Sequence, residues 1–453
     1  MQRALAPASP QGAKRIERAI PICATWRPVE TLRVIAFAAA WILLWLALVG
    51  AAMTVTALVR ATRLGWGNVT WFLSGWLTSE LAVFHVLASL VVLFVLGVLL
   101  GGLLIWPGPL ALPIMLGSWA GLAVAQWRAR PTGRVLEQAL RAGLGSDYRE
   151  RIPAGRRALL RERVPLREIA RPFALRGPGV EWLRNLPYHD GHRRQRLDIY
   201  RPAGSCTGAP VLLQIHGGGW MMGNKHEQAL PLVYHLAARG WVVVTPNYGL
   251  SPKARFPDHL VDCKRALAWV RRHIGEYGGD ADFVAVTGGS AGGHLAALVA
   301  LTANDPRLQP GFEDVDTRVA AAVPFYGVYD FLDRHGHKGD GGAMVRWLER
   351  TVMPGPPAQH AAVWDLASPI ALLRPDAPPF FVLHGTHDSL ASVEDARHFV
   401  KQLRAVSTQP VVYAELPGAQ HAWDVFRSVR AMESVQAVTR FLEWARATDA
   451  SRR

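Results

Sequence analysis

Cysteine is scarce in this sequence. The chain of 453 residues has three cysteines, Cys23, Cys206 and Cys263, which lie far apart and lack the spacing of a metal-ligand set. A disulfide framework and a structural zinc site are therefore excluded as the basis of the fold. Two closely spaced histidine pairs are weak metal signals: His335 with His337, and His384 with His387. We expect neither a metal nor another cofactor.

Acidic residues are in deficit, since 35 Asp and Glu stand against 50 Lys and Arg, for a formal net charge of +15. Residues 128–196 hold seventeen arginines against seven acidic residues and so supply ten (17 − 7) of the excess charges. These arginines follow apolar segments. In a nucleic-acid-binding module they would instead be interleaved with aromatic residues. We therefore expect no nucleic-acid partner. A basic stretch beside apolar segments is instead typical of a membrane surface.

Charge is absent from long stretches near the N-terminus, at residues 34–59 and 81–105. Each is long enough to cross about 30 Å of hydrocarbon as a helix. A third uncharged run, 110–127, is interrupted by Pro113 and either crosses the membrane, re-enters it or packs on the second helix. The alternatives are a cleaved signal peptide for the first run and a buried helical domain for all three. Residues 34–127 therefore predict a multi-pass protein of the cell membrane in contact with lipids.

The charges around this region leave its orientation open. A basic tail, residues 1–33, and the arginines after residue 127 both favour the cytoplasmic side. An even number of crossings satisfies both, whereas three crossings satisfy only the tail, so the part of the chain after these segments is either cytoplasmic or external. Residues 128–185 form an Arg-rich connector, which either lies on lipid headgroups as an amphipathic piece or contributes to a cap over the site.

Beyond residue 186 the chain alternates between short apolar runs and helical patterns. Nearly continuous apolar runs predict strands that are buried on both faces, and one alternating run predicts an edge strand at 196–201. Buried strands are expected at 211–215, 241–245, 283–286, 319–324, 380–383 and 411–416. Helices are expected at about 226–238, 258–274, 291–303, 393–405 and 429–447. This alternation predicts an α/β fold with a mostly parallel, doubly wound sheet over residues 186–447.

The stretch 283–293, FVAVTGGSAGG, combines a strand, a sharp turn and the start of a helix. In that context the motif G-x-S-x-G predicts a serine nucleophile, Ser290, held above the C-terminal edge of the sheet. The glycines around it leave room for a strained turn. The following helix directs the partial positive charge of its N-terminus at the same place. The alternative is a flexible glycine turn.

A glycine triplet follows the strand at 211–215, in the sequence His-Gly-Gly-Gly-Trp over residues 216–220. Backbone N–H groups at a strand end suit an oxyanion, because they are already directed at the developing negative charge. We expect Gly218 and Gly219 to be two of the donors and Ala291 to be the third. The alternative is a plain glycine hairpin.

A serine needs a base, and the base needs an acid to orient it. Asp388 and His421 each lie just past a predicted strand, and the order Ser290, Asp388, His421 is that of α/β-hydrolases. His421 is thus the predicted base and Asp388 its acid. The competing candidates are the acids Glu394 and Asp395 and the histidines His384 and His387.

These motifs support a resemblance that covers residues from about 186 to 447. The matching stretches are HGGGW (216–220), NYGLSP (247–252), GGSAGGH (288–294), HGTHD (384–388) and GAQHAW (418–423). The chain resembles the hormone-sensitive-lipase-like α/β-hydrolase carboxylesterases and their bacterial ferulic-esterase-like relatives. The resemblance implies an α/β-hydrolase fold for these residues, and the uncharged runs described above predict an α-helical transmembrane region before it. The chain departs from the family at Gly289, often Asp there, at Gly249, often Arg, and at Lys253, often Glu.

About fifty residues, 327–379, separate two core strands where a short crossover would suffice. Such an insertion is usually functional, so we expect a lid over the substrate site, with a surface excursion as the alternative. Trp220, Tyr326 and Trp347 are the candidates for lining the pocket.

The sequence therefore predicts a membrane-anchored serine carboxylesterase or lipase that acts on a small-molecule or lipid ester through an acyl-enzyme. An amidase of the arylformamidase kind, or a peptidase, would use the same fold, although the glycine triplet accompanies ester preference in the family resembled. A non-catalytic membrane receptor or scaffold is the third alternative. It predicts a broken triad, whereas every triad position is filled here.

Overall fold

The computed structural model describes residues 27–61, 67–160, 164–204 and 206–450. Most of the expected basic tail lies outside these residues, and its last residues, from Arg27, already belong to the first helix. The chain divides into two compact units. One comprises the chain up to Leu48 together with Ser89–Ile114, and the other comprises Val49–Ala88 together with the chain from Met115 to its end.

Among the described residues, the first five helices are α1 Arg27–Leu58, α2 Gly67–Glu80, α3 Ala82–Val92, α4 Ala111–Ala129 and α5 Thr132–Leu144. A π-helical segment, Leu93–Leu99, continues α3. Within the part of the chain that the structure describes, three segments are long and apolar enough to cross a membrane by length and composition: Val29–Leu58, Ala82–Leu99 and Gly108–Leu144. The first two overlap the predicted runs, and the third extends beyond the predicted 110–127 because α4 and α5 are nearly continuous.

The sheet has eight strands: β1 Val180–Pro187, β2 Arg196–Pro202, β3 Ala209–Ile215, β4 Val242–Pro246, β5 Gly279–Gly289, β6 Ala321–Phe325, β7 Phe380–Gly385 and β8 Val411–Leu416. Their order is β1-β2-β4-β3-β5-β6-β7-β8. The pairs β1–β2 and β2–β4 are antiparallel, and all other pairs are parallel. The mostly parallel sheet predicted from the sequence is therefore confirmed.

The later helices are α6 Ala154–Arg157, α7 Leu166–Ile169, α8 Leu230–Ala237, α9 Asp258–His273, α10 Ala291–Leu301, α11 Ala343–Thr351, α12 Ala361–Leu366, α13 Val393–Val406 and α14 Val429–Ala450. Buried residues of β5 alternate between two cores, with Val284 and Val286 in one and Phe283 and Ala285 in the other. The first core includes residues of α9, α10 and α13, and the second includes residues of α5, α8 and α14. Helices thus cover both faces of the sheet, as its parallel strands require.

Two elements of the Arg-rich connector, α5 and β1, pack within the hydrolase fold. Its helix α5 buries Leu136, Leu140 and Leu144 in the same core as Val412 of β8. The approach is close, because a Cβ on Gly143 would lie 2.8 Å from a methyl carbon of Val412. Its last part forms β1, which was not predicted and pairs with β2. Both elements therefore belong to the layers of the hydrolase domain.

Candidate active site

Ser290 lies at the sharp turn between β5 and α10, with φ 59° and ψ −122°. A positive φ is rare for a residue with a side chain, and such strain concentrates at functional sites. The turn is fixed from β6, because the backbone N–H of Ser290 donates to the carbonyl oxygen of Phe325 at 3.0 Å. Ser290 precedes the first residue of α10, so the positive end of the helix dipole is directed at the serine.

Close packing around the turn requires the glycines beside Ser290. A Cβ on Gly292 would lie 2.1 Å from the carbonyl oxygen of Ile215. A Cβ on Gly289 would lie 2.5 Å from the hydroxyl oxygen of Tyr326. The departure from the family pattern at Gly289 therefore has a steric reason, because Tyr326 occupies the space that a longer side chain would need.

The structure brings Asp388 and His421 together in the loops that follow β7 and β8. The Nδ1 atom of His421 lies 2.7 Å from Oδ2 of Asp388, and both side chains are buried. The other carboxylate oxygen accepts the backbone N–H groups of Leu390 at 2.9 Å and Ala391 at 2.8 Å. These bonds fix the plane of the carboxylate, which in turn fixes the imidazole ring.

Burial opposes ionisation of Asp388, but the charge of His421 and hydrogen bonds from His384 and His421 hold its pKa below the usual value. The Nε2 atom of His384 lies 3.4 Å from the Asp388 carboxylate and 3.0 Å from the Ala391 carbonyl oxygen. His384 is therefore a neighbour of the acid, a role that the sequence analysis missed. Because Asp388 stays ionised, it can stabilise an imidazolium at His421.

The competing acids are engaged elsewhere. Glu394 forms a surface ion pair with Arg397 at 2.6 Å. Asp395 is buried and accepts the backbone N–H of Tyr329 at 2.8 Å. Both carboxylates therefore serve local structure, and Asp388 is the one that contacts His421.

In the glycine triplet, one backbone N–H group is hydrogen-bonded and the other two have no partner among the described residues, which leaves them free to bind an oxyanion. The N–H of Gly217 donates to Oε1 of Gln228 at 2.6 Å. Gly218 and Gly219 have positive φ values of 111° and 59°. Within the described part of the chain, neither of their N–H groups meets an acceptor. Ala291, at the first position of α10, adds a third N–H that the helix itself cannot satisfy.

The three pocket candidates differ in accessibility. Trp220 is 3% exposed, and its indole N–H donates to Nδ1 of His294 at 3.2 Å, so it supports the glycine loop from behind. Tyr326 is also 3% exposed, and its ring centroid lies 4.5 Å from that of His421. Trp347 is half-buried, and a Cβ on Gly219 would lie 3.4 Å from its ring. Trp347, in the insertion at 327–379, is thus the pocket candidate that is both accessible and close to the glycine triplet.

Sequence reasoning missed Asp424, although it lies three positions after His421. The hydroxyl of Tyr326 donates to its carboxylate, and burial raises the pKa of Asp424. Phe72 of α2 was also missed, and its ring lies edge-on to His421 with centroids 5.7 Å apart. No local pattern predicts this contact, because α2 is far from residue 421 along the chain.

Other clusters lie away from this site. A polar cavity of about 500 Å³, lined in part by Arg318, Arg374 and Asp376, lies at the opposite end of the sheet, beside the start of β6 and β7. His335 and His337 lie close to His398, with ring centroids 4.2 and 5.0 Å from its ring. Among the described residues, no group of three or more His, Cys, Asp or Glu side chains could hold a metal ion.

Three buried histidines near the site should make stability depend on pH. Burial lowers the pKa of His216 and of His294 to about 3 and that of His259 to about 4. The unfolded chain therefore binds more protons below about pH 6.5, and stability falls as the pH drops from there toward the folded values. Each histidine should lower the free energy of unfolding by about 2 kcal/mol between pH 7 and pH 5.

The measurement is the thermal midpoint at pH 7 and pH 5 for the wild type and His259→Gln. The variant should lose less stability on acidification, because glutamine does not titrate. Its amide can still meet Ser251, which lies 3.0 Å from Nε2 of His259, so the folded structure is retained. The control is His273→Gln, at an exposed position, which should behave as the wild type does. Equal losses in both variants would contradict the assignment.

Known proteins resemble the chain along most of its length. The BD-FAE family profile matches residues 197–403. The probable carboxylic ester hydrolase LipM of Mycobacterium tuberculosis is 46% identical over 426 residues, which cover 89% of this chain and 94% of LipM. Esterase LipQ of the same organism is 42% identical over 324 residues, covering 70% of this chain and 75% of LipQ.

The solved structures show the same fold. Esterase B of Lactobacillus rhamnosis superimposes with a TM-score of 0.51 at 23% identity, over 63% of this chain and 93% of that one. Its identity to this chain is low, so the likeness concerns the α/β-hydrolase fold alone. The fold was predicted, and the sequence relatives extend the likeness to activity. The chain belongs to the hormone-sensitive-lipase-like family of α/β-hydrolase carboxylesterases and is a carboxylic ester hydrolase.

Proposed function

We propose that the protein is a membrane-anchored serine carboxylesterase that acts through Ser290, His421 and Asp388 and an acyl-enzyme. The observation that carries this proposal is the 2.7 Å contact between Nδ1 of His421 and Asp388, beside a serine with φ 59° at a strand–helix turn. The end of β6 connects the serine turn with the histidine. The N–H of Ser290 donates a hydrogen bond to the carbonyl oxygen of Phe325, and the ring of the next residue, Tyr326, packs on His421.

The reaction would proceed in two halves. The Oγ atom of Ser290 attacks the ester carbonyl carbon while Nε2 of His421 takes the hydroxyl proton. The negative oxygen of the tetrahedral intermediate accepts hydrogen bonds from the N–H groups of Gly218, Gly219 and Ala291. The C–O bond to the alcohol then breaks, and His421 returns the proton to the leaving oxygen. Water repeats the sequence on the acyl-enzyme, which releases the acid and restores Ser290.

Membrane anchoring is supported by the three long apolar segments and by what they expose. Large apolar side chains of α1 remain accessible, including Trp41 at 52% and Trp45 at 62%. Extensive exposed apolar surface of this kind suits contact with lipid rather than water. We therefore propose a multi-pass protein of the cell membrane, with lipids as its surroundings and an ester as its substrate.

The domain organisation follows from the same features. We assign the membrane region to residues 34–127 and the hydrolase domain to residues 186–447. Strand β1 and the packing of α5 extend the hydrolase domain toward the N-terminus. The insertion at 327–379 would act as a lid, because its Trp347 lies against Gly219. A substrate carbonyl held by the glycine loop would therefore meet Trp347.

The test is a panel of p-nitrophenyl esters from acetyl to palmitoyl, with matched p-nitroanilides, on the full-length protein in detergent. We expect hydrolysis of esters and at least a hundredfold slower release from the anilides. Faster turnover of the anilides would support an amidase or peptidase. A folded protein that hydrolyses neither series would support the non-catalytic alternative.

A further inference from the structure

We propose that helix α2 forms one wall of the catalytic site and that its aromatic face binds the long apolar chain of an ester substrate. This inference rests on the proposed function and names the class of substrate for the same site. Helix α2 belongs to the compact unit that contains the hydrolase domain, although it lies between two of the apolar segments of the N-terminal region.

The first observation is the contact with the base. The rings of Phe72 and His421 meet edge-on, at an angle of 87° and a centroid distance of 5.7 Å. Tyr326 contacts the same imidazole at 4.5 Å but is 3% exposed. Phe72 is only half-buried. A substrate that places its carbonyl between Ser290 and His421 therefore has access to Phe72 rather than to Tyr326.

The second observation is a row of aromatic side chains that leads away from the base. Trp76 stacks on Phe72 at 5.4 Å and on Phe426 at 5.2 Å. Phe173 meets Phe426 at 5.5 Å and is 63% exposed. We call Phe72, Trp76, Phe426 and Phe173 the aromatic row. Each of its rings keeps accessible surface, so the row is not a sealed core.

The chemistry of the aromatic row selects an alkyl chain. None of its four members carries a charge, and none of their spacings exceeds 5.5 Å. Each methylene that an alkyl chain buries against such a surface strengthens binding about fourfold. An acetyl group would end near His421, whereas a long acyl or alkyl chain would extend along Trp76 and Phe426. The row therefore favours esters with a long apolar chain.

The third observation is that both ends of α2 are fixed to the loops that carry the acid and the base. At one end, Oγ of Ser389 donates to the carbonyl oxygen of Asn68 at 3.3 Å. At the other end, the buried carboxylate of Glu80 accepts from Arg430 at 2.8 Å and from Ser428. Ser389 directly follows Asp388 in the sequence. These hydrogen bonds therefore fix the position of α2 beside the acid and the base.

The experiment compares Phe72→Ala with Leu73→Ala in the full-length protein. Leu73 is the next residue of α2 and is 46% exposed, so its truncation leaves the aromatic row intact. The substrates are p-nitrophenyl acetate and p-nitrophenyl palmitate, in detergent micelles of one composition. We expect Phe72→Ala to lower kcat/KM at least tenfold for the palmitate and less than threefold for the acetate. Leu73→Ala should leave both values unchanged.

A further pair of variants separates binding from positioning. Trp76→Ala removes the ring that stacks on Phe72 and leaves the contact between Phe72 and His421 in place. It should give the same selective loss on the palmitate, and it replaces Phe72→Ala if that variant fails to fold. Phe72→Leu should restore most of the palmitate activity, because it restores apolar bulk. An equal loss on both esters would overturn the inference, since it would mean that Phe72 only positions His421.

The failure of this inference differs from the failure of the proposed function. Unchanged palmitate activity in both Phe72→Ala and Trp76→Ala, with an active wild type, would overturn the aromatic row as a binding site and leave the esterase intact. A folded wild type without activity on either ester would overturn both.

Discussion

Replacing Ser290 with alanine is expected to lower kcat for ester hydrolysis by about 10⁶. The reason is that the acyl-enzyme cannot form without the hydroxyl, and only the oxyanion donors and substrate binding remain. The measurement is turnover of the best p-nitrophenyl ester by the wild type and the variant. A fluorophosphonate probe should label the wild type and fail to label Ser290→Ala.

The control is Ser251→Ala, at a buried serine whose hydroxyl donates to the carbonyl of Ala254 at 3.0 Å. This variant also loses a serine hydroxyl, but its site is outside the proposed machinery, so activity and labelling should persist. Undiminished labelling of Ser290→Ala would mean that another residue is the nucleophile. Thermal midpoints of all three proteins establish that the losses do not reflect unfolding.

The second large effect concerns the base and its acid. His421→Ala should cost nearly as much as loss of the serine, about 10⁶ in kcat, because no other group takes the proton. Asp388→Asn should cost about 10⁴, because an amide can hold the imidazole in the wrong tautomer and supplies no charge. The Ser290→Ala/His421→Ala double variant should be no slower than either single variant, since the two residues act as a unit.

His387→Ala is the matched control for the base, because His387 is half-buried in the same loop as Asp388 and was a candidate base. It should retain activity close to the wild-type value. If His387→Ala collapses turnover while His421→Ala does not, the assignment of the base is wrong. Additive losses in the double variant would also contradict a single catalytic unit.

The parallel strands could be predicted from the sequence because burial on both faces leaves a local record. The runs that became β3, β7 and β8 are mostly apolar, with one polar residue near the end of each, and a polar loop follows each of them. The motif around Ser290 is also local, since its glycines are required within two or three residues of the serine. Local requirements of this kind can be read without knowing what packs against them.

The rest of the fold depends on partners that are distant in the sequence. Helix α5 has leucines on one face and arginines on the other, a pattern equally typical of a helix on lipid headgroups. Its true partner, Val412 of β8, is distant in the sequence, so periodicity could not distinguish the two. The same holds for Phe72 and His421, whose contact depends on where α2 lies in the finished fold.

The Glu80–Arg430 pair has a consequence for attempts to obtain a soluble enzyme by removing the N-terminal region. Arg430 is 1% exposed, and the positive charge of its guanidinium is balanced by the carboxylate of Glu80 in α2. A shortened protein that begins at the sheet would keep the catalytic side chains and lose this counter-charge, at a cost of about 3–5 kcal/mol if the cation stays buried. Low activity in such a fragment would therefore report the loss of contacts between α2 and the hydrolase domain and would say nothing about the chemistry of the intact enzyme.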